Sequence, residues 1–191
     1  MPLLRLLPFA LVGCASGAAR VGTLVLNVDP VSTVDAPDGL LESTTLRTET
    51  SEGALLVWQD TDAAEAGLAA LGLINADVTW LDLPVEMVDP SEPAADVPYV
   101  TLVRVPAPWY ATRGMVIGRM QKAIPEYEAV EGLIHKDFVL TDDRELGGLY
   151  RWVNREAADA FYDEAWHADI EDRYGVPADL LRFEAVDPDW P

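Results

Sequence analysis

A short pattern that occurs twice constrains the fold of this 191-residue chain more than any other feature of its sequence. Residues 53–58 followed by 61–66 align without a gap with residues 147–152 followed by 155–160, an offset of 94 positions (147 − 53). In both copies a compact apolar run precedes an alanine-containing stretch, which is typical of a strand followed by a helix. The repeat therefore predicts an internal duplication.

Other short segments keep the same order in the two halves: 23–25 with 101–103, 39–41 with 132–134, and 85–90 with 183–188. The second half has the order βαββαβ of a ferredoxin-like unit, and the first half has the same order without its first helix. We therefore expect an α+β protein with two tandem units, residues 21–90 and 99–188, joined by the acidic, proline-rich linker 91–98. Because such a sheet has helices on one face only, each unit is expected to cover the open face of the other.

Three helices are predicted from residue spacing, at 60–71, 111–123 and 155–174. Gly72 and Gly175 follow the first and the third, as expected of residues that end helices. Pro125 is expected to end the second, because proline lacks the N–H that a continuing helix needs. The first half thus has one predicted helix and the second half has two.

Acidic residues dominate the charge of the chain, which is −20 at neutral pH. Residues 21–103 hold 15 acidic residues and a single basic one, Arg47. Nucleic acid and anionic lipid are bound by clustered Lys and Arg, so neither is an expected partner. We interpret the acidic residues as a solvated surface.

The only cysteine, Cys14, follows a short apolar run, in the sequence LVGC at residues 11–14. The run is much shorter than the ~20 residues that span a bilayer, which favours a signal peptide. The LVGC sequence resembles the lipobox of bacterial lipoproteins. That resemblance implies that residues 1–13 are removed and that Cys14 carries lipid on a short tether, 14–20. Since Ala15 is not aspartate, it also implies the outer membrane, facing the periplasm; a plain cleaved signal and a misassigned start are the alternatives.

A lysine interrupts the apolar stripe of the predicted strand 133–140. Alternation places Ile134, Lys136, Phe138 and Leu140 on one face of that strand. Burial among apolar groups would lower the pKa of the lysine and make it a base or a holder of anions. Alternatively, its stem packs and its ammonium group reaches water.

His135 and Asp137 share the opposite face of the same strand. They are candidates for an oriented acid and base pair, because imidazole titrates near neutral pH. Two residues at this spacing can equally well both face solvent. Lys136 and His135 are therefore the two candidate catalytic residues.

Four aromatic residues of the second half are candidates for the walls of a pocket. Tyr150 and Trp152 share one face of the next strand and suit a flat molecule, although ordinary core packing explains them as well. Trp109 and Tyr110 precede the helix that only the second half has, near the mouth of such a pocket.

The helix predicted at 155–174 carries Asp163, His167 and Glu171 at a spacing that metal ligands can have. The buried side of that helix, judged from its apolar residues, lies roughly opposite His167. We therefore interpret these three as a solvated face and expect no metal site. One cysteine also excludes an intramolecular disulfide and a thiolate metal cage.

The second half contains the sequences GLIHK at 132–136 and GGLY at 147–150, followed by an acidic, alanine-rich helix. With these features it resembles the YdhR-type monooxygenase-like proteins of the dimeric α/β-barrel superfamily, which also includes the antibiotic-biosynthesis monooxygenases. The resemblance implies two ferredoxin-like units with facing sheets, which here form a pseudo-dimeric barrel within one chain. The protein is therefore expected to be a monomer. It also implies oxidation of a small, often aromatic molecule without any cofactor.

The sequence is compatible with two classes of function. In the first, the chain is a cofactor-independent monooxygenase, with Lys136 or His135 handling the proton. In the second, it is a lipoprotein that only binds a small molecule or another protein. The first half has Glu42, Ser43 and Thr44 opposite the candidates of the second half. We therefore expect one site per chain.

Overall fold

The computed structural model describes residues 20–28, 36–89 and 99–189. Within these residues the first half forms β1 (Arg20–Leu26), β2 (Leu40–Arg47), β3 (Glu52–Trp58), α1 (Thr61–Ala70) and β4 (Val78–Val88). The second half forms β5 (Tyr99–Pro106), α2 (Arg113–Glu128), β6 (Leu133–Leu140), β7 (Glu145–Trp152), α3 (Arg155–Phe161), α4 (Glu164–Tyr174) and β8 (Asp179–Asp189).

The strands form one closed antiparallel barrel in the order β1-β3-β2-β8-β5-β7-β6-β4. Each half contributes a four-stranded sheet with the strand order of a ferredoxin-like unit. The two sheets join at both edges, where β2 pairs with β8 and β4 pairs with β6. The predicted fold class, an α+β barrel built from two such units within one chain, is confirmed.

Apolar side chains from all eight strands fill the interior of the barrel: Leu24, Leu46, Leu55, Val57, Leu81, Leu83, Val100, Leu102, Val139, Leu149, Phe183 and Ala185. The opposite faces of the sheets pack against the helices in separate apolar clusters. Strand alternation therefore divides each strand between a barrel face and a helix face.

The two halves repeat one buried hydrogen bond at aligned positions. Trp58 Nε1 donates to Thr23 Oγ1 at 3.0 Å, and Trp152 Nε1 donates to Thr101 Oγ1 at 2.9 Å. A buried indole N–H needs a hydrogen-bond partner, and both halves provide the same one. This equivalence supports the internal duplication.

The helix layer differs between the halves at one aligned position. In the first half Gly67 of α1 lies directly against Trp58, and a Cβ added there would sit 2.1 Å from the indole ring. In the second half the position is Phe161, whose ring centroid lies 5.3 Å from that of Trp152. Helix backbone thus covers the first tryptophan, whereas aromatic side chains cover the second.

The prediction that Pro125 ends the second helix is wrong. Helix α2 begins after the cap residue Thr112 and continues through Pro125 to Glu128. The half-buried side chains of Ile124 and Tyr127, on either side of the proline, pack against the sheet of the second half. Packing on both sides of Pro125 holds the helix together although the proline removes one backbone hydrogen bond.

The single helix predicted at 155–174 is two helices. Tyr162 ends α3 with a non-helical backbone, and its Oη lies 2.7 Å from Thr101 Oγ1. Asp163 then caps α4 by accepting a hydrogen bond from the backbone N–H of Trp166 at 2.7 Å. This buried contact of the Tyr162 hydroxyl, together with a new cap, explains the break.

Among the described residues, no helix is both long and apolar enough to cross a membrane. Cys14 and the linker 91–98 lie outside the described residues.

Candidate functional site

A cavity of about 270 Å³ lies between the sheet of the second half and helices α2 and α4. Apolar side chains supply most of its wall, among them Val103, Phe138, Val116 and Met120. Its charged residues lie at the exposed side, namely Arg119, Glu126 and Arg173, and at the buried floor, namely Lys136. Such a space, apolar with a few polar groups, is typical of a small-molecule site.

Lys136 on β6 is the charged group at the floor, and it is only 2 % exposed. Its Nζ donates a hydrogen bond to Tyr150 Oη at 2.9 Å and lies 3.0 Å from the ring centroid of Tyr127. Burial removes the ammonium group from water and holds the pKa of Lys136 well below its usual value, although the charge of Glu126 opposes this. The uncharged amine is thereby favoured.

Tyr150 on β7 is the direct cross-strand neighbour of Lys136. Burial raises the pKa of Tyr150 well above its usual value, and the nearby Tyr127 and Tyr162 raise it further. The phenol therefore keeps its proton and can donate it in a hydrogen bond. The floor of the cavity thus combines an amine with a lowered pKa and a neutral phenol.

Gly148 provides the space in which this pair meets. A Cβ at Gly148 would lie 2.8 Å from Lys136 Cε and 2.8 Å from Tyr150 Cε2. Real Cβ contacts are essentially never this short, so any larger residue would displace one of the two side chains. The second glycine of the GGLY sequence is thereby explained.

The four aromatic candidates for the pocket wall are divided by the structure. Tyr110 and Tyr150 line the cavity. Trp152 does not line the cavity. It is fully buried and stacks on Tyr150 at an interplanar angle of 9°. Trp109 is 88 % exposed and contacts Tyr110 edge to face. The assignment of the two tryptophans to the pocket wall is therefore corrected.

Sequence reasoning missed most of the wall that α2 provides. Met120, Ala123 and Tyr127 all line the cavity from this helix. Their spacing of three and four residues is the signal of one helix face. The prediction that Pro125 ends the helix concealed it, because Tyr127 then fell in a loop.

His135 lies on the opposite face of β6 and does not line this cavity. It belongs to a buried group of charges at one end of the barrel, the barrel-end ion cluster, which consists of Arg20, Glu42, His135, Asp137 and Arg151. Within this cluster His135 Nε2 lies 3.5 Å from Asp137 Oδ2. As a proton-handling group for the cavity, His135 is therefore in the wrong place.

Asp137 is the centre of the barrel-end ion cluster. It accepts a hydrogen bond from Arg151 Nη1 at 2.8 Å and forms an ion pair with Arg20, and Arg151 also pairs with Glu42. Burial alone would raise the pKa of Asp137, but the contact with His135 and the charges of both arginines bring it below its usual value. The cluster joins β1 and β2 of the first half to β6 and β7 of the second.

One group of potential metal ligands, Glu86, His135 and Asp137, occurs among residues 20–28, 36–89 and 99–189. Arg20 forms ion pairs with both Glu86 and Asp137, so a divalent cation would have to displace a guanidinium group. These residues therefore do not fit a resident metal. On α4, Asp163 uses its carboxylate to cap the helix, and His167 is exposed.

No family model matches the sequence, and neither does any curated protein. Solved structures are similar in fold. A monooxygenase-like protein from Listeria innocua superposes with a TM-score of 0.61 over 90 % of this chain and 96 % of that one, at 5 % identity. A ferredoxin-fold protein from Listeria monocytogenes, related to antibiotic-biosynthesis monooxygenases, gives 0.59 over 90 % and 97 %, also at 5 % identity. An anthrone oxidase-like protein gives 0.59 over 91 % and 93 %, at 11 % identity.

The similar structures define the structural class of the chain by its fold. The chain has the α/β-barrel fold of the ferredoxin-fold proteins related to antibiotic-biosynthesis monooxygenases. Identities of 5 % to 11 % establish that fold alone, and the chemistry of the site has to be argued from its own residues.

Proposed function

We propose that this chain oxidises a small aromatic molecule with O₂, without a metal or flavin, in the cavity above Lys136. The observation that carries the proposal is the pair at the cavity floor, in which Lys136 Nζ donates to Tyr150 Oη at 2.9 Å. The resemblance of the second half to YdhR-type proteins supports it, as does the fold shared with an anthrone oxidase-like protein.

The pair provides the two groups that such a reaction needs. An uncharged Lys136 amine takes a proton from a CH₂ group activated by an adjacent aromatic carbonyl or phenol. Tyr150 donates a hydrogen bond to the substrate oxygen on which negative charge develops. The carbanion then reduces O₂, so that CH₂ and O₂ give C=O and water. One oxygen atom enters the substrate and the other leaves as water.

The size of the cavity limits the substrate. Ligand pockets generally measure ~300 to 1,000 Å³, and a space of about 270 Å³ lies just below that range, so only a small substrate fits. The rings of Tyr127, Tyr150 and Trp166 in its wall suit a flat molecule. A substrate of one to three fused rings fits these walls.

The test is O₂ uptake by the purified chain with a panel of anthrones, which carry such a CH₂ group, with product identified by mass spectrometry. Lys136→Met is expected to abolish turnover, and Tyr150→Phe to lower it by ~100-fold. Lys122→Met is the matched control, because Lys122 is the other lysine of the chain and lies exposed on α2. Turnover that survives Lys136→Met would contradict the proposal.

One observation favours a second function, binding without catalysis. Lys136 Nζ lies 3.0 Å from the ring centroid of Tyr127, 4.2 Å from that of Phe138 and 4.3 Å from that of Tyr150. Aromatic faces stabilise an ammonium ion, which would hold an acidic ligand rather than take its proton. Tight binding of phenolates or carboxylates without O₂ uptake would select this function.

We also propose that Cys14 carries lipid and holds the protein at the bacterial cell envelope, with the cavity in the periplasm. The LVGC sequence at residues 11–14 supports this, and more than one acyl chain makes a stable anchor. Cys14→Ser is expected to release the protein into the soluble fraction and to remove the acyl mass. An unchanged distribution and mass would overturn the proposal.

The chain is further proposed to be a monomer. Both sheets of the closed barrel come from one chain, so no sheet edge of the described barrel is left for a partner. Sedimentation velocity is expected to give the mass of one chain, 20.9 kDa before processing. A stable dimer at low micromolar concentration would contradict this.

A further inference from the structure

We propose that Lys136 forms an imine with a small apolar ketone, aldehyde or β-diketone that enters the cavity. The inference rests on the proposed function only in using the same cavity as a small-molecule site. It does not require O₂ or the proposed oxidation.

The position of the amine carries the argument. Lys136 is the one lysine inside the structure, and its Nζ reaches the cavity through a gap that Gly148 leaves open. The surrounding wall is largely apolar and aromatic, so a carbonyl compound that enters displaces water from the amine. Such an environment disfavours the charged form of an amine and so increases its nucleophilic character.

Most charged and titratable groups that line the cavity with the amine come from three elements. Tyr150 lies on β7, Arg119, Glu126 and Tyr127 lie on α2, and Arg173 and Tyr174 lie on α4. Burial lowers the pKa of Lys136, and Glu126 is the charge that opposes it. Because Glu126 and Arg173 lie at the exposed side, water screens their effect on the buried amine.

The reaction balances without any further reagent. The Nζ lone pair of Lys136 attacks the carbonyl carbon, and a C–N bond forms while one N–H proton moves to the carbonyl oxygen. The C–O bond of this carbinolamine then breaks, and its oxygen leaves as water with the second N–H proton. Tyr150 Oη, 2.9 Å from Nζ, lies where it can pass these protons and regain its own. The product is the imine and one water molecule.

The chain is well suited to a test, because it contains two lysines. Lys122 is exposed on α2 and does not line the cavity. The full-length chain is incubated at pH 7 with acetylacetone, whose adduct with an amine absorbs in the near ultraviolet. In parallel it is incubated with benzaldehyde and cyanoborohydride, which fixes an imine as a stable secondary amine.

Peptide mapping is expected to show at least tenfold more label at Lys136 than at Lys122. Unfolding in urea exposes both amines equally, and the preference is expected to disappear. Label at Lys122 and the amino terminus with Lys136 unmodified would overturn the inference. So would a preference for Lys136 that persists in urea, because it would not depend on the cavity.

Two variants keep the result interpretable. Lys136→Met is expected to lose the near-ultraviolet signal, with the near-UV circular dichroism confirming that it folds. Tyr150→Phe keeps the amine and removes the hydroxyl, and it is expected to label at Lys136 at least tenfold more slowly. Label at Lys136 without O₂ uptake would support the imine and contradict the proposed oxidation. O₂ uptake without label at Lys136 would support the oxidation and contradict the imine.

Discussion

Lys136 and Tyr150 are cross-strand neighbours on β6 and β7, and their side chains meet with Nζ 2.9 Å from Oη on the face of the sheet that α2 covers. The register of two adjacent strands thus fixes the floor of the cavity. A pair set by backbone pairing varies little in position, which suits a site that has to orient a substrate.

The stability of the protein is expected to depend on pH through Lys136. Its pKa is lowered in the folded state, so below the pKa of an unfolded lysine, about 10.4, the unfolded chain binds more protons than the native one. The folded state is therefore penalised increasingly as pH falls from that value to the native pKa. Relative to Lys136→Met, the wild-type free energy of unfolding should rise between pH 7 and pH 10 in urea titrations. Lys122→Met is the control, and a difference at Lys136 that does not change with pH would contradict the expectation.

Filling part of the cavity should weaken ligand binding while leaving Lys136 in place. Ala123 lines the cavity from α2, and Ala123→Phe places a ring in the space. Ligand affinity is expected to fall at least tenfold, which corresponds to about 1.4 kcal/mol. Trp166 lines the same cavity, so its fluorescence can report binding. Gln121→Phe, on the exposed side of the same helix, should bind as the wild type does; equal losses in both variants would point to a change in α2 itself.

Gly67→Ala should destabilise the first half by about 1 to 3 kcal/mol. The added Cβ would lie 2.1 Å from the ring of Trp58, which is fully buried and would have to shift. Urea unfolding followed by tryptophan fluorescence measures the loss. Gly118→Ala in α2 is the matched control, since nothing lies within 4 Å of its Cβ. Its free energy of unfolding should rise by about 0.5 to 1 kcal/mol, because alanine has a higher helix propensity than glycine. A similar rise for Gly67→Ala would contradict the close packing of α1 on Trp58.

Asp137→Asn should lower the free energy of unfolding by about 3 kcal/mol at pH 7. The change removes the charge of Asp137 that pairs with the buried guanidinium group of Arg151. The pKa of Asp137 is lowered in the folded state, so its contribution is complete above the unfolded value of about 3.9 and decreases as pH falls below it. The difference in free energy of unfolding between the wild type and Asp137→Asn should therefore decrease from pH 5 to pH 3. For comparison, Asp169→Asn removes an exposed ion pair with Arg173 and should cost below 1 kcal/mol. Equal costs for the two variants would show that the barrel-end ion cluster does not stabilise the fold.

The duplication, the order of the strands along the chain and the two faces of β6 follow from the sequence alone. Alternation along β6 placed Lys136 and His135 on opposite faces, and the structure has Lys136 under α2 and His135 at the end of the barrel. These features were predictable because strand periodicity is local, so neighbouring residues are enough to define it. The repeat adds a second, independent copy of the same local signals.

The contacts of each face depend on how distant parts of the chain come together. Arg151 and Glu42 are 109 positions apart, and Arg20 and Asp137 are 117 apart, yet both pairs meet at one end of the barrel. Helix α2 continues through Pro125 because its flanking residues pack against a sheet formed from distant strands, and this brings Tyr127 over Lys136. Local propensity cannot predict such contacts, since their free energy comes from burying surfaces that are brought together only when the barrel closes.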